Sequence, residues 1–226
     1  MTRADPVVLR GTDLRHSHRA GGRTVPTLRG VTLTARRGEV TVLTGPSGAG
    51  KSTLLRVLAC LDRPDHGTVI LDGVDATRLS ARRRRALRRT RIGYLCQEPA
   101  ANLVDYLTVS EHLTLAARLR RCTADVAATL DLVGLGHRAG HLPRELSGGE
   151  QQRVALAACV VGDPPLVVAD EPSAHLDRVS TERVAALFAR LAERGIAVLL
   201  TSHDPGVTTV ADRTVALVDG STVERP

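Results

Sequence analysis

The pattern of apolar and polar residues predicts short strands that alternate with helices. Short runs rich in apolar and β-branched residues predict strands at residues 7–9, 27–34, 40–44, 68–71, 91–96, 166–169, 196–200 and 215–218. Polar and glycine-containing breaks separate the first three runs, at 16–26 and 36–38. The chain therefore begins with a region made mainly of strands.

Apolar residues at helical spacing predict helices between the later strands, at residues 54–59, 80–90, 108–121, 125–133 and 178–193. From about residue 103 to residue 161 the pattern is helical throughout. This alternation favours a mostly parallel α/β sheet, and the helical stretch favours an inserted subdomain. We therefore predict a single domain over residues 1–226, with a core at about 1–97 and 162–226 and a helical subdomain at about 98–161.

A glycine-rich stretch between a predicted strand and a predicted helix fits the phosphate-binding loop pattern. Its residues are Gly45, Pro46, Ser47, Gly48, Ala49, Gly50, Lys51, Ser52 and Thr53. The glycines let the backbone curl so that several N–H groups point at one anion, and the helix start adds the positive end of its dipole. In such a loop we expect Lys51 to reach the outer phosphates and the Ser52 hydroxyl to hold Mg²⁺. The alternative is an ordinary glycine-rich surface turn.

Composition adds weight to the phosphate-binding interpretation. Lys51 is the only lysine among 31 lysine and arginine residues, and a compact ammonium suits a phosphate crevice better than a planar guanidinium. The net charge of +7 suits an anionic partner, without choosing among nucleotide, acidic lipid and nucleic acid. The hydrophobic content of 42% indicates a globular chain.

Four scattered cysteines lack zinc-site spacing, which predicts reduced structural thiols in a cytosolic protein. The first residues lack the apolar segment of a signal peptide, and no apolar run approaches the ~18 residues of a membrane span. If the protein acts at a membrane, we expect another chain to supply the span.

Two acidic residues follow the apolar run at 166–169 and suggest a catalytic edge. A buried strand that ends in Asp170 places a carboxylate at the carboxyl edge of the sheet, where ligands of open α/β sheets bind. Asp170 is expected to hold Mg²⁺, and Glu171 to act as the general base on the attacking water. Alone, such a pair is typical of any strand end.

A second candidate anion site opens a predicted helix, at Ser147, Gly148, Gly149 and Glu150. A serine and two glycines at a helix start offer a hydroxyl and free backbone N–H groups. The alternative is an ordinary capped helix start. One nucleotide does not need two phosphate sites in one chain, so the second site makes sense if it completes a nucleotide held by a partner.

These motifs, in this order, resemble the ATP-binding-cassette (ABC) ATPase family. Three further positions agree: Gln97 matches the Q-loop glutamine, residues 174–177 with Asp177 match the D-loop, and His203 matches the switch histidine. The resemblance implies a core with a parallel sheet, an N-terminal antiparallel β subdomain and an inserted helical subdomain. It also implies that Gln97 senses Mg²⁺, that His203 contacts the γ-phosphate of ATP, and that Glu171, His203 and Gln97 form the catalytic set.

The resemblance further implies a dimer in which two chains sandwich two ATP molecules, so that Ser147–Gly149 of one chain meets the phosphate loop of the other. The details are most similar to the ATPases of macrolide-export, lipoprotein-release and cell-division permeases. They imply a cytoplasmic subunit on the inner face of the cell membrane, in a homodimer or heterodimer, with a separate polytopic permease and no nucleic-acid partner. Two alternatives are a soluble ABC ATPase acting on DNA or ribosomes and a regulator that gates a membrane partner without transport.

Some positions depart from the family pattern. His18 falls where an adenine-stacking aromatic is usual; His16 could serve instead, and a solvated loop histidine is the third possibility. Ser173, His175 and Ala158 are unusual but remove no catalytic group.

The arginine-rich run at 82–91 has no aromatic residues among its arginines and is typical of a solvated helix face. Attraction to acidic lipid or to a permease loop is the alternative.

Overall fold

Ten strands form two sheets in the computed structural model, which describes residues 7–20 and 23–223. The strands are β1 (Val7–Ala20), β2 (Arg23–Arg36), β3 (Val40–Thr44), β4 (His66–Leu71), β5 (Val74–Asp75), β6 (Ile92–Leu95), β7 (Leu166–Ala169), β8 (Ala197–Thr201), β9 (Arg213–Val218) and β10 (Ser221–Val223). The antiparallel sheet has the order β2-β1-β4-β5, and the second sheet has the order β10-β9-β3-β8-β7-β6.

Seven α-helices accompany these strands in the described residues. They are α1 (Lys51–Leu58), α2 (Ala81–Arg91), α3 (Val109–Arg120), α4 (Val126–Leu132), α5 (Gly148–Val160), α6 (Arg178–Glu193) and α7 (Pro205–Thr208). Short 3₁₀ turns lie at Ala76–Arg78, Pro99–Asn102, Gly136–Arg138 and Pro143–Glu145. Within 7–20 and 23–223, no helix is long and apolar enough to cross a membrane.

The predicted break at 16–26 is wrong, because β1 and β2 continue through it as a long antiparallel ribbon. His16 pairs with Leu28, and His18 pairs with Val25. Each strand satisfies the backbone hydrogen bonds of the other, so polar side chains on a solvent-facing side do not end either strand. Residues 21 and 22, which fall in the predicted break, lie outside the described residues.

The second sheet is parallel except at its edge. β3 lies between β8 and β9 and runs parallel to both, while β10 pairs antiparallel with β9. The runs in β7 and β8 are almost wholly apolar because helices cover both faces of this sheet, and every residue of both strands is buried.

The helical stretch between β6 and β7 contains α3, α4 and α5, as the sequence pattern predicts. The predicted helices at 80–90 and 178–193 match α2 and α6. Sequence reasoning missed β10 and α7, which have only three and four residues and carry little periodicity.

Two buried apolar clusters hold these layers together. One joins α3–α6 to one face of the parallel sheet, around Phe188. The other joins α1 and the antiparallel sheet to the opposite face, around Leu54 and Leu58. The predicted α/β class, with a parallel sheet, an antiparallel N-terminal sheet and inserted helices, is confirmed.

Candidate active site

Four neighbouring parallel strands end at one edge of the sheet and bring most of the candidate residues together. The phosphate-loop stretch follows β3, Gln97 follows β6, Glu171 follows β7 and His203 follows β8. They surround an open cleft of about 520 Å³ lined by Thr27, Ser47, Gly48, Gly50, Lys51, Ser52, Thr53, Gln97, Glu171, Ala174, His175 and His203. The carboxyl edge of a parallel sheet is the usual ligand site of this architecture.

The loop before α1 needs its glycines. Gly45 and Gly50 have φ values of 142° and 98°, which side chains with a Cβ rarely adopt. A Cβ at Gly50 would lie 2.7 Å from the carbonyl oxygen of Thr27, and one at Gly45 would clash with the carbonyl oxygen of Leu217. Gly48, with φ 79°, faces open space in the cleft. The loop is therefore a cradle of backbone that side chains would fill.

Helix α1 is the only α-helix of the described residues whose N-terminus has no side-chain cap. Its N-cap is Gly50, whereas α2–α7 all begin with a Ser, Thr or Asp side chain that accepts a backbone hydrogen bond. The first turn of α1 also contains no acidic residue. The positive end of this helix is thus left for an anion in the cleft.

Lys51 is nine-tenths buried and folds back onto the loop. Its Nζ donates to the carbonyl oxygens of Gly45 at 2.7 Å and Pro46 at 3.1 Å. The ammonium therefore already lies at the loop, where a phosphate would compete with two neutral carbonyl acceptors. A bond between the ammonium and an anionic phosphate oxygen, in which both partners are charged, is stronger than a bond to a neutral carbonyl.

His18 lies against the same loop. Its Nε2 is 3.2 Å from the Thr53 hydroxyl, and its ring meets His16 edge-on with centroids 5.0 Å apart. His16 is more enclosed, with a buried Nδ1 that has no hydrogen-bond partner among the described residues. Of the two histidines, His18 is the exposed one beside the loop.

The two carboxylates after β7 share one anchor on β8. The Thr201 hydroxyl donates to Asp170 Oδ1 at 2.7 Å and accepts from the Glu171 backbone N–H at 2.8 Å. Thr201 is completely buried, and Asp170 is nine-tenths buried. One hydroxyl thus fixes the positions of both acidic residues.

Glu171 points into the cleft from a strained backbone. Its φ is 43°, an uncommon value for a residue other than glycine. Its Oε1 lies 3.5 Å from His203 Nε2. A carboxylate and an imidazole therefore face each other across the space in front of the phosphate loop.

Sequence reasoning missed the place of Thr201 and gave His175 no role in the cleft. Thr201 ends an apolar strand, and a hydroxyl at the carboxyl edge was the available signal. His175 lines the same cleft as Glu171, and its φ is 65°. The one indication in the sequence was that histidine is unusual at this position of the D-loop.

The signature residues lie apart from this cleft and form a capped helix start. Glu150 accepts from the Ser147 N–H at 2.8 Å and the Ser147 hydroxyl at 2.9 Å, and Arg138 pairs with Glu150 at 3.0 Å. The bonds from Ser147 are the main reason that the pKa of Glu150 falls from its ordinary 4.5 to about 2. Within one chain, none of residues 147–150 lines the cleft.

The D-loop carboxylate caps α6 next to the signature. Asp177 accepts from the N–H and the hydroxyl of Ser180 at 2.9 and 2.8 Å, which lowers the pKa of the Asp177 carboxyl. A Cβ on Gly149 would come within 2.7 Å of the Ser180 hydroxyl. The signature and the D-loop helix are therefore packed together as one surface.

In the part of the chain that the structure describes, the cysteines and acidic residues form no second metal or catalytic centre. All four cysteines are free thiols. Burial raises the pKa of Cys60 to about 11 and that of Cys159 to about 12. In the described parts of the chain, no group of three or more His, Cys, Asp or Glu residues could hold a metal ion.

Comparison with known proteins agrees with this geometry. The family model described as "ABC transporter" matches residues 28–174. The lipoprotein-releasing system ATP-binding protein LolD 2 of Caulobacter vibrioides is 41% identical over 224 residues, covering 96% of each chain. The macrolide export ATP-binding/permease protein MacB of Rhodopirellula baltica is 39% identical over 217 residues, which are 93% of this chain but only 32% of that relative.

Solved structures give the same answer. The dimeric, post-hydrolysis structure of the ATP-binding cassette MJ0796 bound to ADP and Pi superposes with a TM-score of 0.86. It is 31% identical, with 96% of this chain and 97% of that chain covered. The family resemblance stated from the sequence motifs is confirmed, and the chain belongs to the ABC transporter family as an ATP-binding cassette.

Proposed function

We propose that this chain is the ATP-hydrolysing subunit of a transporter, working in a pair of cassettes that drives a separate membrane permease. The observation that carries the proposal is the convergence of the phosphate loop, Gln97, Glu171 and His203 on one cleft. The likeness to proteins named for lipoprotein release and macrolide export supports an outward direction of transport and disfavours a soluble ATPase that acts on DNA or ribosomes.

In this proposal the loop at 45–53 binds the phosphates of ATP. The uncapped N–H groups at the start of α1 and the glycine turn surround the anion. Lys51 exchanges its two carbonyl acceptors for phosphate oxygens without leaving the loop. His18 stacks on adenine at the exposed side of Thr53.

The residues present fit a magnesium ion. Mg²⁺ prefers hard oxygen ligands and keeps several waters. Ser52 and Gln97 line the same cleft, and the Asp170 carboxylate is held by Thr201 one residue before Glu171. We propose that Ser52, Gln97 and Asp170 hold the ion, Asp170 through water. Bound there, Mg²⁺ would neutralise charge on the β- and γ-phosphates.

Glu171 is the proposed general base. Its carboxylate projects into the cleft beside the position that the outer phosphate would take, and it accepts a proton from the attacking water. His203, 3.5 Å from that carboxylate, donates to the γ-phosphate. The Thr201 anchor holds Glu171 at the backbone, so the base is fixed before ATP binds.

The signature surface is the proposed site for the nucleotide of a second subunit. Residues 147–150 lie outside the cleft of their own chain and pack with the D-loop helix through Gly149 and Ser180. In a head-to-tail homodimer, Ser147, Gly148 and Gly149 would complete the partner's site, and Asp177 would cross the interface. Closure on ATP and reopening after hydrolysis would then move the permease.

We also propose that residues 98–161 form a helical subdomain that transmits this motion, and that the subunit lies peripherally on the inner face of the membrane. One of the links from the cleft is the side chain of Asn102. Asn102 accepts from the Cys96 N–H at 2.9 Å and donates to the Tyr94 carbonyl at 2.9 Å. Asn102 thus ties the backbone next to Gln97 to the segment that leads into α3, and in this proposal a movement at Gln97 reaches that segment.

The Glu171→Gln variant tests the hydrolysis step. It should keep ATP binding, lose turnover on the order of a hundredfold or more, and form a stable dimer with ATP and Mg²⁺. Glu182→Gln, which removes an exposed carboxylate on α6 whose one ion pair among the described residues is with Arg178, is the matched control and should behave like the parent. Parent-like hydrolysis by Glu171→Gln would reject the assignment of the base.

The same variant tests the partner. Tagged Glu171→Gln protein, captured with ATP from detergent-solubilised membranes of its own cell, should retain a stoichiometric polytopic membrane protein. Retention of DNA-repair or ribosomal proteins without such a membrane protein would contradict the transporter proposal while leaving the ATPase assignment intact.

A further inference from the structure

Helix α2 carries the whole net charge of the protein. It contains seven arginines and no acidic residue. The remaining 24 cationic residues are matched by 24 aspartates and glutamates, so the rest of the chain is neutral and the net +7 belongs to this helix. Nothing in the ATP site uses that charge.

Only part of the helix is engaged with the protein. Arg88 donates to the Cys60 carbonyl at 3.0 Å, and Arg91 pairs with Asp72 at 2.8 Å. Four further arginines of the helix are exposed to solvent, Arg82, Arg83, Arg85 and Arg89, and we call them the α2 basic face. Among the described residues, no acidic side chain forms an ion pair with any of the four.

The α2 basic face is unfavourable for an isolated protein. Arg82 and Arg83 lie in the first turn, at the positive end of the helix dipole. Arg85 is three residues from Arg82 and four from Arg89, so like charges are neighbours along the helix surface. External anions would relieve both repulsions.

The surroundings of the face fit a membrane surface better than a peptide. Helix α2 has no buried residue, whereas peptides are usually bound in grooves or along strand edges. The end of α3 lies beside it, because Arg120 Nη1 donates to the Arg89 carbonyl at 3.2 Å. Next to Arg120, Leu119 is 54% exposed. Basic residues with an exposed apolar neighbour are typical of segments that lie on anionic bilayers.

We propose that the α2 basic face binds the surface of a membrane that contains anionic phospholipid. This gives the subunit a contact with the bilayer that is independent of the permease and of ATP. It goes beyond the proposed transport function, and it can fail while ATP hydrolysis by the same protein remains intact.

The test is sedimentation of the full chain with lipid vesicles, at low salt and at about 0.15 M salt. One set is phosphatidylcholine alone, and the other contains about one-third phosphatidylglycerol. The parent should bind only the anionic vesicles, and binding should weaken with salt. Each arginine near an anionic surface contributes about fivefold, so replacing Arg82, Arg83, Arg85 and Arg89 by Gln should lower the affinity on the order of several hundredfold.

A control variant with the same net charge separates the effect of the α2 basic face on vesicle binding from the effect of net charge. Replacing Arg29, Arg144, Arg183 and Arg213 by Gln removes four exposed arginines, none of which forms a described ion pair, from other surfaces. It should leave binding within about threefold of the parent, apart from the long-range effect of net charge. ATP hydrolysis without vesicles, measured for all three proteins, should be unchanged and shows that they are folded.

Three results would overturn the proposal. The first is equal binding of the parent to neutral and anionic vesicles, and the second is an equal loss of binding in both quadruple variants. The third is tight, α2-dependent binding of a polyglutamate peptide by a protein that does not bind anionic vesicles, which would assign the face to an acidic protein segment.

Discussion

Thr201 offers the sharpest test of how the acidic edge of the site is built. Its hydroxyl is the shared partner of the Asp170 carboxylate and the Glu171 N–H, at 2.7 and 2.8 Å. Thr201→Val keeps the branched shape and opens no cavity, yet it removes both hydrogen bonds. The change therefore isolates the hydroxyl from the packing of β8.

The expected loss of stability follows from the two bonds. A hydrogen bond to a charged group contributes about 1.5–3 kcal/mol, and a buried donor left without a partner costs about 1–3 kcal/mol. A buried methyl in place of the hydroxyl offsets roughly 1 kcal/mol. We therefore expect Thr201→Val to lower the free energy of unfolding by about 2–4 kcal/mol.

The chain supplies its own control at Thr181. The Thr181 hydroxyl is buried and has no hydrogen-bond partner among the described residues. Thr181→Val makes the same chemical change and should be neutral or stabilising by about 1 kcal/mol, because it removes an unsatisfied polar group. Thr201→Ser keeps the hydroxyl and should lose only the methyl, about 1 kcal/mol.

Two assays decide the matter. Urea unfolding without nucleotide gives the stability, because bound ATP would add its own stabilisation. Steady-state ATP hydrolysis should fall on the order of tenfold in Thr201→Val, since Asp170 and Glu171 lose their common anchor. The reasoning is refuted if Thr201→Val unfolds and hydrolyses ATP like the parent, or if Thr181→Val loses as much stability.

Two further predictions concern titration and thiol chemistry. Because the pKa of Glu150 is depressed to about 2, its cap stabilises the fold fully above the ordinary value of 4.5 and is lost as the pH falls from there towards 2. The stability difference between parent and Glu150→Gln, measured by urea unfolding, should be constant above about pH 5 and vanish near pH 2; a difference independent of pH would exclude the cap. Burial raises the pKa of Cys159 to about 12. At neutral pH a thiol reagent should therefore modify Cys159 of the native protein far more slowly than Cys122. Mass spectrometry of the labelled protein measures the two rates, and equal rates would argue against burial of Cys159.

The sequence by itself determined the phosphate-binding loop, the longer helices and the alternation of strands with helices. The glycines at 45, 48 and 50, followed by Lys51 and Ser52, specify a turn and a helix start through local backbone freedom alone. The apolar runs at 166–169 and 196–200 specify buried strands, and both strands are buried on both faces. Local signals of this kind can be recognised without knowing which segments pack against them.

The tertiary structure decided what depends on a partner distant in the sequence. The extension of β1 through His16 and His18 depends on β2, which supplies the partners for the backbone hydrogen bonds. Polar side chains do not prevent this pairing. The Thr201 anchor joins residues thirty positions apart on neighbouring strands. The separation of Ser147 from the cleft of its own chain is likewise a matter of packing. Local composition fixes local conformation, whereas the pairing of distant segments is set by the sheet that assembles them.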